Sequence, residues 1–351
     1  MQEMAETNFS RNSSMLDSNS TSFSVPQKEC LLFDVNFHTT QFLYVTHILT
    51  AVVNSLFSFT ATAGNAVVIL TVWRSPSLHT PSNTLICCLA VSDLTVGLLT
   101  QPCFVVHKIG EILHNFQMYC ITRVVSESLG SITAGVSGLT MAAATIERYL
   151  ALYFHLRYNE IVTVKRVLIV VSSFWIFLVT LATFRLLLLR PELYNTILVT
   201  TISLSLLLTY LVNVKIMKCV RMHEQQIQAE CTSARLQTEE KTSRLRDMLR
   251  YKKSTVTMII VVGIFTLCFL PMLCVKLAHR LWGYTVRVKA SYLFASTITF
   301  LNSSINPLVY CWRIKTLRNA VKSVLKQLKC KKDKIIPSLQ RGETQTSQLT
   351  V

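Results

Sequence analysis

The chain has 351 residues, 51% of them hydrophobic, 11 cysteines, and 35 Lys and Arg against 18 Asp and Glu for a formal charge of +17. The length would allow two soluble domains, and the charge would suit nucleic acid. The apolar residues exclude both readings, because they gather into seven long runs instead of spreading over amphipathic surfaces.

Residues 1–43 are polar and carry three glycosylation sequons, at Asn8, Asn12 and Asn19. Three in one free tail place that tail outside the cell. No basic stretch leads into a short apolar region, so the first span is expected to act as its own export signal. Apolar runs then fall near 44–73, 82–107, 120–153, 167–189, 196–217, 255–278 and 290–312. Each can cross a hydrocarbon core of roughly 30 Å at about 1.5 Å per residue. The fold class is therefore an all-α integral membrane protein, a seven-transmembrane helix bundle.

The connections are short. Residues 74–81 (RSPSLHTP) form a Pro-rich turn, and 189–195 (LRPELYN) are all that lies outside between the fourth and fifth spans. Residues 222–250 are polar and read as helical extensions of spans five and six. Basic residues concentrate at Arg148, Arg157, Lys165 and Arg166, between spans five and six, and beyond Lys315. That bias places these loops and the C-terminus in the cytosol and favours anionic lipid over nucleic acid. Past Tyr310, Ile314, Leu317, Val321, Val324, Leu325 and Leu328 recur at helical spacing, giving an amphipathic cytosolic helix on the membrane lipids with Cys330 open to palmitoylation. The expected organisation is a tail at 1–43, the seven-transmembrane domain at 44–312, the surface helix at 313–330 and a disordered cytosolic tail at 331–351.

The stretch NSSINPLVY, residues 302 to 310, puts polar side chains inside the seventh run. Asn302, Ser303 and Asn306 share a helix face. Pro307 lacks an N–H and loosens the helix near residue 303, while Ser304 lies off that face and can bond back to a carbonyl one turn earlier. Counted from the cytosolic end of each span, Asp93, Ser137, Asn302, Asn306 and Asn65 fall in one layer, roughly 9–17 Å deep. An Asp at that depth needs partners. Two readings stand: a polar core that only fixes packing, or a hydrated cation site around Asp93 within a network that a ligand rearranges. Glu147-Arg148-Tyr149 closes the third span, where Arg148 can pair with Glu147 in one state and face a cytosolic partner in another.

Asn65 in GN, Asp93 in LAVSDL, ERY at 147–149, Trp175, FTLCFLP at 265–271 and NPLVY at 306–310 occur in that order. Together, on seven spans, they resemble rhodopsin-like (class A) G-protein-coupled receptors over residues 44–330. The resemblance implies a plasma-membrane receptor that answers an extracellular small-molecule, lipid or peptide ligand by driving nucleotide exchange on a heterotrimeric G protein. It further implies arrestin and a receptor kinase as partners. By that likeness Asp93, Ser137, Asn302, Ser303 and Asn306 match a sodium pocket, with sodium an allosteric ligand and no other cofactor. Phe265, Phe269 and Pro271 match the aromatic switch, and Arg148, Tyr210, Asn306, Pro307 and Tyr310 the activation switch.

Departures narrow the resemblance. The family's cysteine at the top of span three would fall near Arg123, whereas Cys120 stands about three residues early. With no cysteine at 189–195, Cys30 is the other candidate partner, and a tail-to-bundle bridge or a free Cys120 thiol both stay open. Ile202 replaces a usual proline, and Tyr251 replaces an acidic clamp on Arg148. The very short loop at 189–195, the missing proline in span five and YCWRIKTLR after NPLV are similar to the melanocortin, adenosine and cannabinoid receptor group. Of the three acidic residues that hold calcium in melanocortin receptors, only Glu127 has a counterpart, and it can instead pair with Arg123 one turn away. Gly130 and Phe300 stand where amine receptors carry an Asp and opsins a Lys, which argues against an amine or retinal ligand. The candidate pocket comprises Cys103, Glu127, Gly130, Phe269, Cys274, Tyr292 and Ser296.

An enzyme is not expected, since no carboxylate pair, nucleophile with base, or His-rich cluster shares one depth. An ion-coupled transporter would more often show internal repeats and several intramembrane charges. A constitutively active receptor or dimer partner is the other alternative. Val351 ends the chain in a sequence able to add as a strand to a PDZ domain.

Overall fold

The computed structural model describes residues 30, 40–154, 157–187, 191–232, 238–283 and 285–327; side chains at 191–192, 223–224, 226–232, 238–255 and 257–258 are not described. Asn8, Asn12, Asn19, Cys330, Val351 and the side chain of Tyr251 lie outside the described residues. Met1–Asn36 forms a unit of its own, in which Cys30 is the described residue.

Among the other described residues are seven long helices: α1 (Gln41–Arg74), α2 (Pro81–Ile112), α3 (Phe116–Tyr153), α4 (Val164–Leu187), α5 (Pro191–Thr232), α6 (Thr238–Trp282) and α7 (Val286–Arg313). Residues 315–327 form a further helix. Side-chain caps set several starts: Thr40, Thr80, Asn115 and Thr285 each accept a backbone N–H three residues on. Six of the seven are long and apolar enough to cross a membrane by composition. The exception is α7, whose 28 residues suffice in length but whose polar side chains are buried inside the bundle.

Two expectations change at the α4–α5 connection and at the surface helix. The α4–α5 connection is shorter than the expected 189–195, because α5 already starts at Pro191 and buries Tyr194. Proline at the first helical position is favourable, as its missing N–H would have no partner there. The helix at 315–327 buries Leu317 in the main core cluster with Val321 packed against it, so part of its apolar stripe serves the bundle and Leu325 remains exposed.

Prolines interrupt α2 and α7, and α1 repairs both. Before Pro102, α2 widens into a π-turn over Val96–Thr100, in which Gln101 N–H reaches back to the Val96 carbonyl. The next bond in that pattern would come from Pro102, which has no N–H. Ser58 of α1 supplies it, donating to the Gly97 carbonyl at 2.7 Å. Gly97 is required here: a Cβ would stand 2.7 Å from Thr62 Oγ1. Likewise Pro307 leaves the Ser303 carbonyl without its helical donor, and Asn65 of α1 donates to it at 2.9 Å. The Pro307 ring packs on Gly64, where a Cβ would meet it at 3.1 Å. The GN pair at 64–65 is thus a fitting for the proline of α7. Ser304 donates to Phe57 O of α1 at 2.9 Å, across helices and not back along its own as the sequence suggested.

Candidate functional site

The middle layer is built around Asp93, which is 1% exposed. Ser303 Oγ donates to Asp93 Oδ1 at 2.7 Å and Asn306 Nδ2 to Oδ2 at 2.8 Å. Both carboxylate oxygens are therefore held by neutral donors of α7. Ser137 bonds Ser92 at 2.9 Å and not Asp93, and Asn65 joins through the Ser303 carbonyl. Asn302 Oδ1 and the Tyr310 hydroxyl are buried in this region without hydrogen-bond partners.

At the ERY end, Glu147 is buried and Arg148 is partly open, its Nε 3.6 Å from Glu147 Oε2. Ser82 of α2 donates to Glu147 Oε1 at 2.7 Å, and the Tyr158 hydroxyl donates to the same oxygen. Burial, then that bond to Glu147, raises Tyr158 above the usual phenol range, so it stays a donor at neutral pH. Tyr149 stacks near Tyr153, at 5.8 Å between centroids.

Phe265 and Phe269 are buried and stacked, 4.2 Å between centroids and 19° between planes. They lie two turns to half a turn before Pro271 on one face of α6. Tyr310 is buried, but Tyr210 is 65% exposed and is not brought to it; the inward face of α5 at that level presents Thr209 and Asn213 instead.

The pocket candidates divide. Glu127 pairs with Arg123, whose Nε donates at 3.2 Å. Tyr292 of α7 lies beside Lys276 and His279 of α6; Ser296 and Cys103 are half-buried. Gly130 faces Thr100 and Phe300, so that position packs helices together. Cys274 is exposed on the stripe of α6 that carries Leu267, Leu270, Leu277 and Leu281, which corrects its place as a pocket residue. Cys120 is disulfide-bonded, as is Cys30, which excludes the free-thiol alternative.

Two charged groups stand at the end opposite ERY, of which the sequence indicates only the Arg123–Glu127 pair. One joins α1, α2 and α7: Lys289 and Lys108 both pair with Glu111, the latter at 3.2 Å, with His47 3.6 Å and His107 4.0 Å from the same carboxylate. All five are at least 92% buried. The other gathers Arg123, Glu127, Arg185 and Lys276. The spans assigned at 82–107 and 290–312 stopped short of Lys108, Glu111 and Lys289. Helical spacing of Lys108 and Glu111 was the available signal.

Comparison with known proteins fits this arrangement. The model of the 7 transmembrane receptor (rhodopsin family) matches residues 64–196 and 190–310. Melanocortin receptor 3 of Rattus norvegicus is 24% identical over 267 residues, covering 74% of this chain and 80% of the relative. Melanocortin receptor 3 of Mus musculus is 25% identical over the same shares, and that of Homo sapiens 24% identical over 268 residues. A multi-pass bundle with Asp93, ERY and NPLVY in place, matched over most of its length, leaves one assignment: the chain belongs to the rhodopsin family of seven-transmembrane receptors, signalling proteins and not enzymes.

Proposed function

We propose that this receptor sits in the plasma membrane with its ERY end in the cytosol and activates a heterotrimeric G protein when a ligand binds at the opposite end. The observation that carries the proposal is Arg148. It stands at the edge of the bundle, tied to Glu147 beside it, while Glu147 has Ser82 and Tyr158 as independent partners. Arg148 can therefore turn to a cytosolic partner without leaving Glu147 bare. Basic residues at Lys165, Arg166, Lys215, Lys218 and Arg221 on the same side support that orientation.

The Asp93 layer supplies the coupling. Its two α7 donors, Ser303 and Asn306, lie in the turn before Pro307, where the helix ladder is already open. A movement of α7 exchanges one set of neutral hydrogen bonds for another at small cost. The layer also fits a sodium ion: one carboxylate balances one charge, its neighbours are oxygen donors, and the buried Asn302 Oδ1 is a spare acceptor. Asp93, Ser137, Asn302 and Ser303 would hold the ion, which supplies a charge that steadies this arrangement. Replacing sodium with a bulky organic cation at equal ionic strength should lower the thermal midpoint of the wild type, and Asp93→Asn should abolish that sensitivity.

The test of the function is basal G-protein activation in cells across the main G-protein classes, beside Arg148→Ala at matched surface expression. A signal that vanishes in the variant is expected; a signal that survives it would remove Arg148 from the mechanism.

A further inference from the structure

The inward face of α5 carries one hydrogen-bonding atom that its own helix does not use. Leu198, Ile202, Ser205, Thr209, Asn213 and Ile216 form a buried stripe at helical spacing. The Ser205 and Thr209 hydroxyls donate back to the Ile202 and Ser205 carbonyls at 2.8 and 2.7 Å. Asn213 Nδ2 likewise donates to the Thr209 carbonyl at 2.9 Å. What remains is Asn213 Oδ1, a buried acceptor without a hydrogen-bond partner, on a residue that is 9% exposed. An acceptor kept from water in this way costs free energy.

Two contacts set the level of Asn213 in the bundle. The Ser131 and Tyr194 hydroxyls meet at 2.6 Å, and a Cβ on Gly138 would stand 3.1 Å from Ser205 Oγ, so α3 and α5 run side by side in the same direction. Eight residues past the second contact, about 12 Å nearer the ERY end, α5 carries Asn213 and α3 carries Ile146, two residues before Arg148. Around α3, Glu147 faces Ser82 of α2. Tyr149 lies about 20° from the direction of Gly138, on the α5 side. Arg148 stands between those two faces. Its Nε is 3.6 Å from Glu147 Oε2, an oxygen that has no hydrogen-bond partner. A guanidinium offers donors alone and an amide oxygen accepts, so the two are complementary. The nearby Tyr210 is 65% exposed and lies on another face.

We propose that Asn213 is a positioning residue of the activation switch: when Arg148 leaves Glu147, Asn213 Oδ1 accepts a hydrogen bond from its guanidinium and holds it for the G protein. This role rests on the receptor reading above. A hydrogen bond from a charged donor is stronger than a neutral one. The resting arrangement therefore carries an unpaired acceptor that the signalling arrangement pairs, and the difference biases the equilibrium toward signalling. Glu147 keeps Ser82 and Tyr158 throughout.

The test measures nucleotide exchange on a purified heterotrimeric G protein, per folded receptor in bilayer discs, with the thermal midpoint of each variant beside it. Asn213→Leu removes the acceptor at nearly constant shape and should slow receptor-driven exchange roughly tenfold. It also removes an unpaired buried polar atom, so its midpoint should match or exceed that of the wild type. Asn213→Asp supplies a stronger acceptor and should keep or raise the rate. Thr209→Val, whose hydroxyl is already satisfied on α5, should exchange at the wild-type rate. Four results would overturn the proposal: a wild-type rate in Asn213→Leu, a slowed rate there with a lowered midpoint, an equal loss in Asn213→Asp, or an equal loss in Thr209→Val. A wild-type chain that drives exchange no faster than the G protein alone would fail the receptor reading and this role with it, whereas those four fail the role alone.

Discussion

The molecule holds two buried carboxylates in opposite ways. Asp93 is met by Ser303 and Asn306, both neutral. Glu111, at the far end of the same helix, is met by Lys108 and Lys289 with two histidines close by. Neutral donors can be exchanged at the cost of a hydrogen bond, of order 1 kcal/mol net. Separating a buried carboxylate from its cations exposes unpaired charge to a poor dielectric, which is far more costly. The Asp93 layer is therefore suited to change partners and the Glu111 cluster to hold α1, α2 and α7 together.

The most severe way to break this contrast is Glu111→Gln. It leaves Lys108 and Lys289 buried without their counter-charge and should cost about 3–5 kcal/mol, read as a collapse of surface expression or a large drop in thermal midpoint. A second variant sharpens the account of the proline break. Asn65→Ala strands the Ser303 carbonyl and should cost about 1–3 kcal/mol. Adding Pro307→Ala restores an intrahelical donor to that carbonyl, so the double variant should be less unstable than the two single losses added together. Strict additivity would mean that Asn65 acts elsewhere. The smallest effect is expected at the ERY end: Tyr158→Phe removes one of the bonds to Glu147 and should change basal nucleotide exchange by about fivefold or less, about 1 kcal/mol, with surface expression unchanged.

The middle layer was legible in sequence because its depth could be counted. Asp93, Ser137, Asn302 and Asn306 sit inside apolar runs whose cytosolic ends are marked by charge, and about 1.5 Å per residue is enough to align them. Partner choice was not legible. Whether Ser137 reaches Asp93 or Ser92, or Ser304 its own helix or Phe57 of α1, depends on helix rotation by tens of degrees, which spacing does not fix. The Glu111 cluster failed for a different reason. Lys108, Glu111 and Lys289 fall just outside the spans assigned at 82–107 and 290–312, yet α2 continues to Ile112 and α7 begins at Val286. The helices run on, and their charges turn inward. Cys274 was misplaced because a sequence position near a ligand pocket does not reveal which side of α6 faces it.

The contrast between the two carboxylates is tested most directly by the guanine-nucleotide exchange rate of a heterotrimeric G protein per folded receptor, measured for Asp93→Asn and Lys289→Met beside the wild type. The account predicts a several-fold altered rate for Asp93→Asn, and a wild-type rate with a lowered thermal midpoint for Lys289→Met. A wild-type rate for Asp93→Asn with an altered one for Lys289→Met would contradict it, and rates no faster than the G protein alone for all three would contradict the signalling role itself.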